Sequence, residues 1–343
     1  MKKALLLATC LLAVSLAGCG KEQSELYDRG MDALEQQDYV TAIGMFQGAI
    51  DAEERLAESY RAIGIAYLES AEYESAAEAF QNSRDAMEHK NEAFQKDVMM
   101  YQAQALQLAG NTDQALEVYD QVVATFPDSD VYLSRGSLYL NRKEYDKAKE
   151  DFEKALQEDR SYEMCLKIYQ LYQDSSMKAD GDTFLEEATQ ITPGDAEDYY
   201  ELGCVYYYLE DTERAQEALE QAMDEGSTEA LSLLGNVYLE QNDVESARKL
   251  FEQALEGEEK AAAQNGLALC DIAEENYDAA LEHIESGLEE ASGQDRENLL
   301  FNQIVVYEKK LDFAQAKTLM TSFLEEYPDN EAAVRENQFL QSR

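Results

Sequence analysis

The sequence contains no tryptophan, two histidines and three prolines in 343 residues. His89 and His283 stand 194 positions apart, and neither has a cysteine or carboxylate at metal-ligand spacing. No zinc site or paired-histidine chemistry is on offer, and both histidines are expected at the surface. Cys165, Cys204 and Cys270 form an odd, scattered set without a CxxC. They read as small buried hydrophobes rather than disulfide partners. A glycine-rich phosphate loop, an HExxH, a nucleophile elbow and the alternating runs of strands are all missing. The chain is therefore expected to be a non-enzyme with no cofactor and no metal. Positive charge is scarce as well: 28 Lys and Arg face 72 Asp and Glu, a formal net charge of −44. Repulsion on that scale excludes nucleic acid as a partner. The carboxylates are spread along every outward helix face, a solvated surface rather than one acidic site, though weak attraction of divalent cations or basic partners stays open.

Long apolar runs are lacking too. The longest, Ala4 to Ala17, is shorter than the roughly 20 residues a spanning helix needs, but it follows Lys2 and Lys3 as the core of a signal peptide does. It ends in Leu16-Ala17-Gly18-Cys19. This ending resembles the lipobox of bacterial lipoproteins, which implies cleavage before Cys19 and a covalent lipid on its thiol. Two acyl chains anchor stably where one does not. The expectation is a chain held on the extracytoplasmic face of the cell membrane, with Cys19 as lipidation site. Its tether of a few residues would reach at most about 15 Å.

What is abundant is a repeat. Ala42, Ala76, Ala115, Ala148, Gly181, Ala215, Ala247, Ala280 and Ala316 are spaced by 34, 39, 33, 33, 34, 32, 33 and 36 residues. Twelve residues before each stand Gly30, Gly64, Ala103, Gly136, Tyr169, Gly203, Gly235, Ala268 and Ile304. Tyrosine recurs three residues later, as in Tyr67, Tyr139, Tyr172, Tyr206, Tyr238 and Tyr307. Four after the small residue come Phe46, Phe80, Tyr119, Phe152, Leu185, Leu219, Phe251, Ile284 and Met320. Pro127, Pro193 and Pro328 each lie twelve past it, where a second helix must stop. A beat near 34 residues with apolar stripes of helical period means stacked helical hairpins.

The pattern resembles the tetratricopeptide repeat (TPR), with a small residue at position 8, Tyr at 11, Ala at 20, Phe at 24 and Pro at 32. Nine units start near Gln23, Ala57, Lys96, Ser129, Tyr162, Ala196, Thr228, Ala261 and Glu297. The resemblance implies an all-α fold, a right-handed α-solenoid of about nine TPR hairpins. The expected layout is a leader at 1–18, a lipidated Cys and tether at 19–22, repeats at 23–328 and a capping helix at 329–343, with apolar Ala332, Val334 and Leu340.

Positions 8 and 20 are expected at the crossing of helices A and B, where only Gly or Ala lets the backbones approach. Breakers such as Gln37-Asp38, Gly110-Asn111, Asn141-Arg142 and Gln241-Asn242-Asp243 should separate the helices. The fifth unit, with Tyr169 and Gly181, is expected to be looser. The eighth, with Asp271 for Tyr, has a first helix uncertain by a residue or two. Extra residues in 85–95 and 291–296 should lengthen loops.

In this family, positions 2, 5, 9, 12 and 13 of helix A line a concave groove. Carried over position by position, the groove residues implied here are Tyr27, Met31, Ile65, Met100, Leu133, Leu166, Tyr200, Tyr207, Tyr208, Asn236 and Phe301. The lysines with which some relatives clamp a terminal carboxylate are absent. Tyr207 and Tyr208 are the strongest local candidates, since tyrosine joins apolar area to a polar tip at low entropic cost. Alternatively, some of these side chains simply pack between adjacent helices. The implied function is a membrane-anchored scaffold that binds protein or peptide partners, as a monomer, without a small-molecule substrate. A structural spacer or self-assembling element remains open. A solute-binding lipoprotein shares the anchor but needs strands.

Overall fold

The computed structural model describes residues 25–88, 91–257 and 260–343. The expected leader, Cys19 and tether, together with His89, lie outside the described residues. Among the described residues there are nineteen α-helices, no strand, and no helix long and apolar enough to cross a membrane. The chain divides into two compact units at Arg160/Ser161. The first holds four hairpins: α1 (Glu25–Glu35) with α2 (Tyr39–Asp51), α3 (Leu56–Glu69) with α4 (Tyr73–Asp85), α5 (Glu92–Leu108) with α6 (Thr112–Thr125), and α7 (Ser129–Asn141) with α8 (Tyr145–Glu158). The second holds five: α9 (Tyr162–Asp174) with α10 (Lys178–Ala188), α11 (Ala196–Tyr208) with α12 (Thr212–Asp224), α13 (Ala230–Glu240) with α14 (Val244–Ala254), α15 (Lys260–Ala273) with α16 (Tyr277–Leu288), and α17 (Gly293–Lys309) with α18 (Phe313–Glu326). A last helix, α19 (Glu331–Gln341), follows.

Every hairpin turns the same way. The residue five before the small position (Gln37, Ala71, Gly110, Lys143, Ser176, Glu210, Asn242, Glu275, Leu311) has a left-handed φ between +57° and +81°. The next N–H donates back to the position-11 carbonyl, from Asp38 to Ala33 at 2.9 Å through Asp312 to Tyr307 at 2.9 Å. These bonds satisfy carbonyls that the end of the first helix would orphan. That same residue opens helix B. The carboxylates of Asp38, Asp211, Asp243 and Asp312 accept a backbone N–H three residues on. In the fourth unit Asn141 still belongs to α7, so the break falls at Lys143 rather than at Asn141-Arg142.

The nine small residues of the second helices are all buried, the eight alanines completely. The tightest constraint on position 8 comes from a side chain, in addition to the expected backbone approach, which a Cβ on Gly136 would meet at the Ala148 carbonyl oxygen, 3.3 Å away. A Cβ on Gly30, Gly64, Gly136 or Gly235 would lie 2.6–2.7 Å from the ring of Phe46, Phe80, Phe152 or Phe251. Glycine is the seat of the position-24 side chain, a phenyl ring in these four hairpins and Leu219 over Gly203, where a Cβ would lie 2.5 Å from it. Where position 24 is Tyr119 or Ile284, position 8 is Ala103 or Ala268; where it is Met320, position 8 is Ile304. Each of the four phenylalanines is at most 1% exposed, a contribution of about 1.5–3 kcal/mol apiece. Phe251 is gripped from both sides, because a Cβ on Gly266 of the next hairpin would meet it at 2.3 Å. Tyr67 packs against the apolar clusters of both the first and second hairpins, and Tyr238 likewise bridges two clusters.

The fifth hairpin is not loose. Tyr169 is 1% exposed and Gly181 supplies the room, since a Cβ there would meet the Tyr169 ring at 3.1 Å and Tyr172 Cβ at 3.0 Å. The bulk of Tyr169 at position 8 is accommodated by trimming position 20 from alanine to glycine. In the eighth, Ala268 packs with Ala280 and Ile284, which fixes the register. Asp271 is 4% exposed and takes a 2.8 Å bond from Arg248. His283 is not a free surface residue. Its Nδ1 lies 2.7 Å from Gln264 Oε1 and its Nε2 3.5 Å from Asp271 Oδ2.

The extra residues at 85–95 and 291–296 go largely into helix. Both α5 and α17 run 17 residues, gaining about a turn at their N-termini. Helix α19 buries Ala333 and Leu340 against Ala316, Met320 and Phe323. Ala332 is exposed and Val334 is 40% exposed, so the buried face lies one residue off the expected stripe.

Candidate functional site

Helices α11 and α13 stand side by side in the second unit, each the first helix of its hairpin. Ridge residues at positions 5, 9, 12 and 13 of α11 (Tyr200, Cys204, Tyr207, Tyr208) fall on one face because they are separated by about one helical turn. Position 5 and position 9 of α13 add Ser232 and Asn236. Together with Leu233, Glu229 and Asp295 these side chains line a cavity of about 350 Å³. That volume suits one long side chain or a small ligand.

Within the cavity the Tyr208 ring lies 5.0 Å from Tyr169 and 6.0 Å from Tyr207, edge to face with the latter. Tyr208 is 36% exposed. The Tyr207 hydroxyl pairs with Glu240, and burial followed by that carboxylate pushes its pKa up to about 12. What Tyr207 offers a ligand is therefore its ring. Tyr206 points elsewhere, with the Arg214 guanidinium 4.5 Å above it. Burial pushes the Cys204 thiol up to about 11, although Tyr200 bonds to it, so it is a thiol rather than a nucleophile at neutral pH. Cys204 is half-buried, unlike the fully buried Cys165 and Cys270. The Ser232 hydroxyl oxygen is buried without a hydrogen-bond partner. Burial raises the Asp295 carboxyl above its usual value, and no cation lines the cavity among the described residues.

Four of the groove residues expected from sequence (Tyr200, Tyr207, Tyr208 and Asn236) thus meet in one cavity. The others do not join it. Tyr27 sits 5.4 Å from Phe46 with the Arg55 guanidinium 3.8 Å over its ring. Met31 packs on the first apolar cluster, and Ile65 and Met100 on the next. Phe301 lies 5.7 Å from Phe323 and belongs to the last core cluster. Leu133 and Leu166 are half-buried on α7 and α9. Leu233, Glu229 and Asp295, which also line the cavity, escaped the sequence reading. Glu229 immediately precedes α13, and Asp295 is on the first turn of α17, the stretch expected to be loop. Helical continuation through 293–296 is what carries Asp295 to the cavity.

A second cavity, of about 310 Å³, lies between α15 and α16 and is lined by Leu255, Lys260, Gln264 and Glu290 among others. Among the described residues no three or more His, Cys, Asp and Glu side chains gather to hold a metal ion.

Models of the tetratricopeptide repeat match residues 27–86, 97–129, 129–162, 200–259, 232–295 and 299–330, well over half of the chain. The longest stretch they leave out between matches, 163–199, holds the hairpin with Tyr169 at position 8 and Gly181 at position 20. No curated protein matches. Among solved structures, a tetratricopeptide repeat protein from Parabacteroides merdae is 20% identical, over 72% of this chain and 97% of that one, with a TM-score of 0.43. The Cut9-Hcn1 hetero-tetramer of the APC/C is 15% identical over 92% and 75%, with a TM-score of 0.46. PilF of Pseudomonas aeruginosa is 20% identical over 62% and 96%, with a TM-score of 0.41. Nine hairpins of one design, with repeat models matching along both units, identify the protein: it belongs to the tetratricopeptide repeat family.

Proposed function

We propose that this chain is a monomeric, lipid-anchored scaffold on the extracytoplasmic face of the cell membrane, which holds protein or peptide partners along the first helices of its repeats. The repeat fold is suited to protein interaction: each hairpin buries one face of its first helix and leaves another side-chain row accessible. The single observation that carries the site is the meeting of Tyr200, Tyr207, Tyr208 and Asn236 in one cavity. Aromatic side chains of this kind give contact area with few torsions to freeze. The anchor rests on Leu16-Ala17-Gly18-Cys19 and the apolar run before it. Neither catalysis nor a small-molecule substrate is part of the reading.

Two experiments test it. Cells fed a labelled fatty acid should label the wild-type protein and not Cys19→Ser, and the variant should leave the membrane fraction; equal labelling would refute the anchor. Detergent-solubilised envelope proteins should be retained by the immobilised wild type and lost with Tyr207→Ala/Tyr208→Ala. Equal retention by both would remove the cavity from the account.

A further inference from the structure

The partner-binding reading leaves open what the tyrosine cavity accepts, and its lining is chemically lopsided. It holds three phenol rings, two carboxylates (Glu229 and Asp295), one amide (Asn236), one hydroxyl (Ser232), the Cys204 thiol and Leu233, but no Lys or Arg. Each polar member is an acceptor or carries one. The Ser232 oxygen is buried and unpaired, a state that native interiors rarely tolerate without a ligand or water. The Asp295 carboxyl is partly desolvated, and no Lys or Arg side chain lines the cavity to pair with it. Two rings, Tyr207 and Tyr208, stand edge to face at 6.0 Å, so a group entering beside one ring meets the face of the other. The whole lies on a chain with 72 acidic and 28 basic residues.

We infer that the cavity formed by Tyr200, Tyr207, Tyr208, Ser232, Asn236, Glu229 and Asp295 receives an arginine side chain from an extended segment of the partner. A guanidinium is planar and stacks on a phenol ring, and it is more weakly hydrated than an ammonium. Its five N–H donors match a lining that supplies acceptors on several sides, whereas lysine brings three donors on a point charge. An apolar side chain would leave the partly buried Asp295 carboxylate and the buried Ser232 hydroxyl without a partner. An acidic one would be repelled. The surrounding negative field raises the local concentration of such a segment, and the rings then select the position at which arginine must sit.

The test uses the soluble protein from Gly20 onward, with 3-fluorotyrosine incorporated, titrated at 150 mM salt with the blocked peptide Gly-Ser-Arg-Ser-Gly. Its citrulline and lysine counterparts serve as the neutral isostere and the alternative cation. Saturable binding of the arginine peptide is expected, with shifts of the Tyr207 and Tyr208 fluorine signals assigned by single Tyr→Phe variants. Its affinity should exceed that of the citrulline peptide at least tenfold and that of the lysine peptide several-fold. Tyr207→Leu/Tyr208→Leu, which keeps both charge and apolar bulk, should weaken it at least fivefold. Glu217→Gln/Glu282→Gln removes two exposed charges from the second helices and should change it less than twofold. Equal binding of the citrulline peptide, lost in the tyrosine variant, would overturn the arginine assignment while leaving the partner-binding face intact. Equal weakening by both double variants would reduce the effect to the general field and overturn it too. So would the absence of any shift at Tyr207 and Tyr208.

Discussion

Gly136→Ala and Gly44→Ala make the same chemical change on two helices of one unit, yet they should move stability in opposite directions. Gly44 sits within α2 with nothing inside 4 Å of a new Cβ, so only the backbone propensity changes, a gain of about 1 kcal/mol. On Gly136 the methyl would stand 2.7 Å from Phe152 Cε1 and 3.3 Å from the Ala148 carbonyl oxygen. Phe152 is completely buried and cannot swing aside, so overpacking costs about 1–3 kcal/mol. The same propensity gain offsets part of this, leaving a net loss of about 1 kcal/mol and a difference of about 2 kcal/mol between the two variants. A compensating change exists elsewhere in the chain, where Ala268 faces Ile284. Adding Phe152→Ile to Gly136→Ala should therefore recover part of the loss, with a favourable coupling of about 1 kcal/mol. Repeat arrays need not unfold in one step, so hydrogen exchange of the α7 and α8 amides is the suitable readout beside urea melts. If Gly136→Ala protects those amides as Gly44→Ala protects α2, or if the double variant is merely additive, glycine does not seat the ring and the packing argument fails.

Three further perturbations probe other features. Leu311 holds a φ of 61° at 73% exposure, so Leu311→Gly relieves a left-handed strain without losing packing and should stabilise the last hairpin by about 1 kcal/mol in thermal melts; destabilisation would contradict the turn assignment. Burial, and then the neighbouring Glu336 on α19, pushes the Glu308 pKa up from 4.5 to about 7. The folded state thus binds more protons than the unfolded one between these values, and stability falls as pH rises through that window, with the whole penalty present above about pH 7. Discounted for solvent screening, Glu308→Gln should raise stability at pH 8 by about 1–2 kcal/mol and flatten the pH profile between 4.5 and 7; an unchanged slope would refute it. Asp151, 3% exposed in its side chain, takes a two-pronged bond from Arg135 at 2.7 and 2.8 Å and has Lys154 Nζ only at 3.8 Å, so Arg135→Met should cost about 2 kcal/mol by leaving the carboxylate that single, longer ion pair, and Arg135→Met/Asp151→Leu should restore much of it.

The hairpins were legible in the sequence because one packing unit, a ring over a helix backbone, recurs with its partners at fixed spacing. The nine small positions and the register of position 8 follow directly from it. The turns were less legible. Gln37, Ala71, Lys143 and Leu311 carry none of the usual turn chemistry, and the left-handed residue is held by backbone bonds on either side rather than by its own side chain. Helix length at 293–296 was also hidden, since no periodic apolar signal marks an added polar turn, and with it went the acidic side of the cavity at Asp295. Tyr169 and Gly181 looked like defects when read singly and make sense only as a pair. Of the residues assigned to a binding face, Tyr27 and Phe301 pack, half-buried, against the core clusters beside Phe46 and Phe323. Pairwise packing of that sort is invisible to a position-by-position reading.

The most direct measurement is site-specific photocrosslinking in living cells, with a photoreactive amino acid placed at Tyr208 or, on the outward face of α12, at Glu217. Activation at position 208 should capture one or a few discrete polypeptides, and activation at 217 should capture none of them. Identical patterns from the two positions, or no adduct at 208 beside normal membrane yield, would contradict a partner-binding face on the first helices.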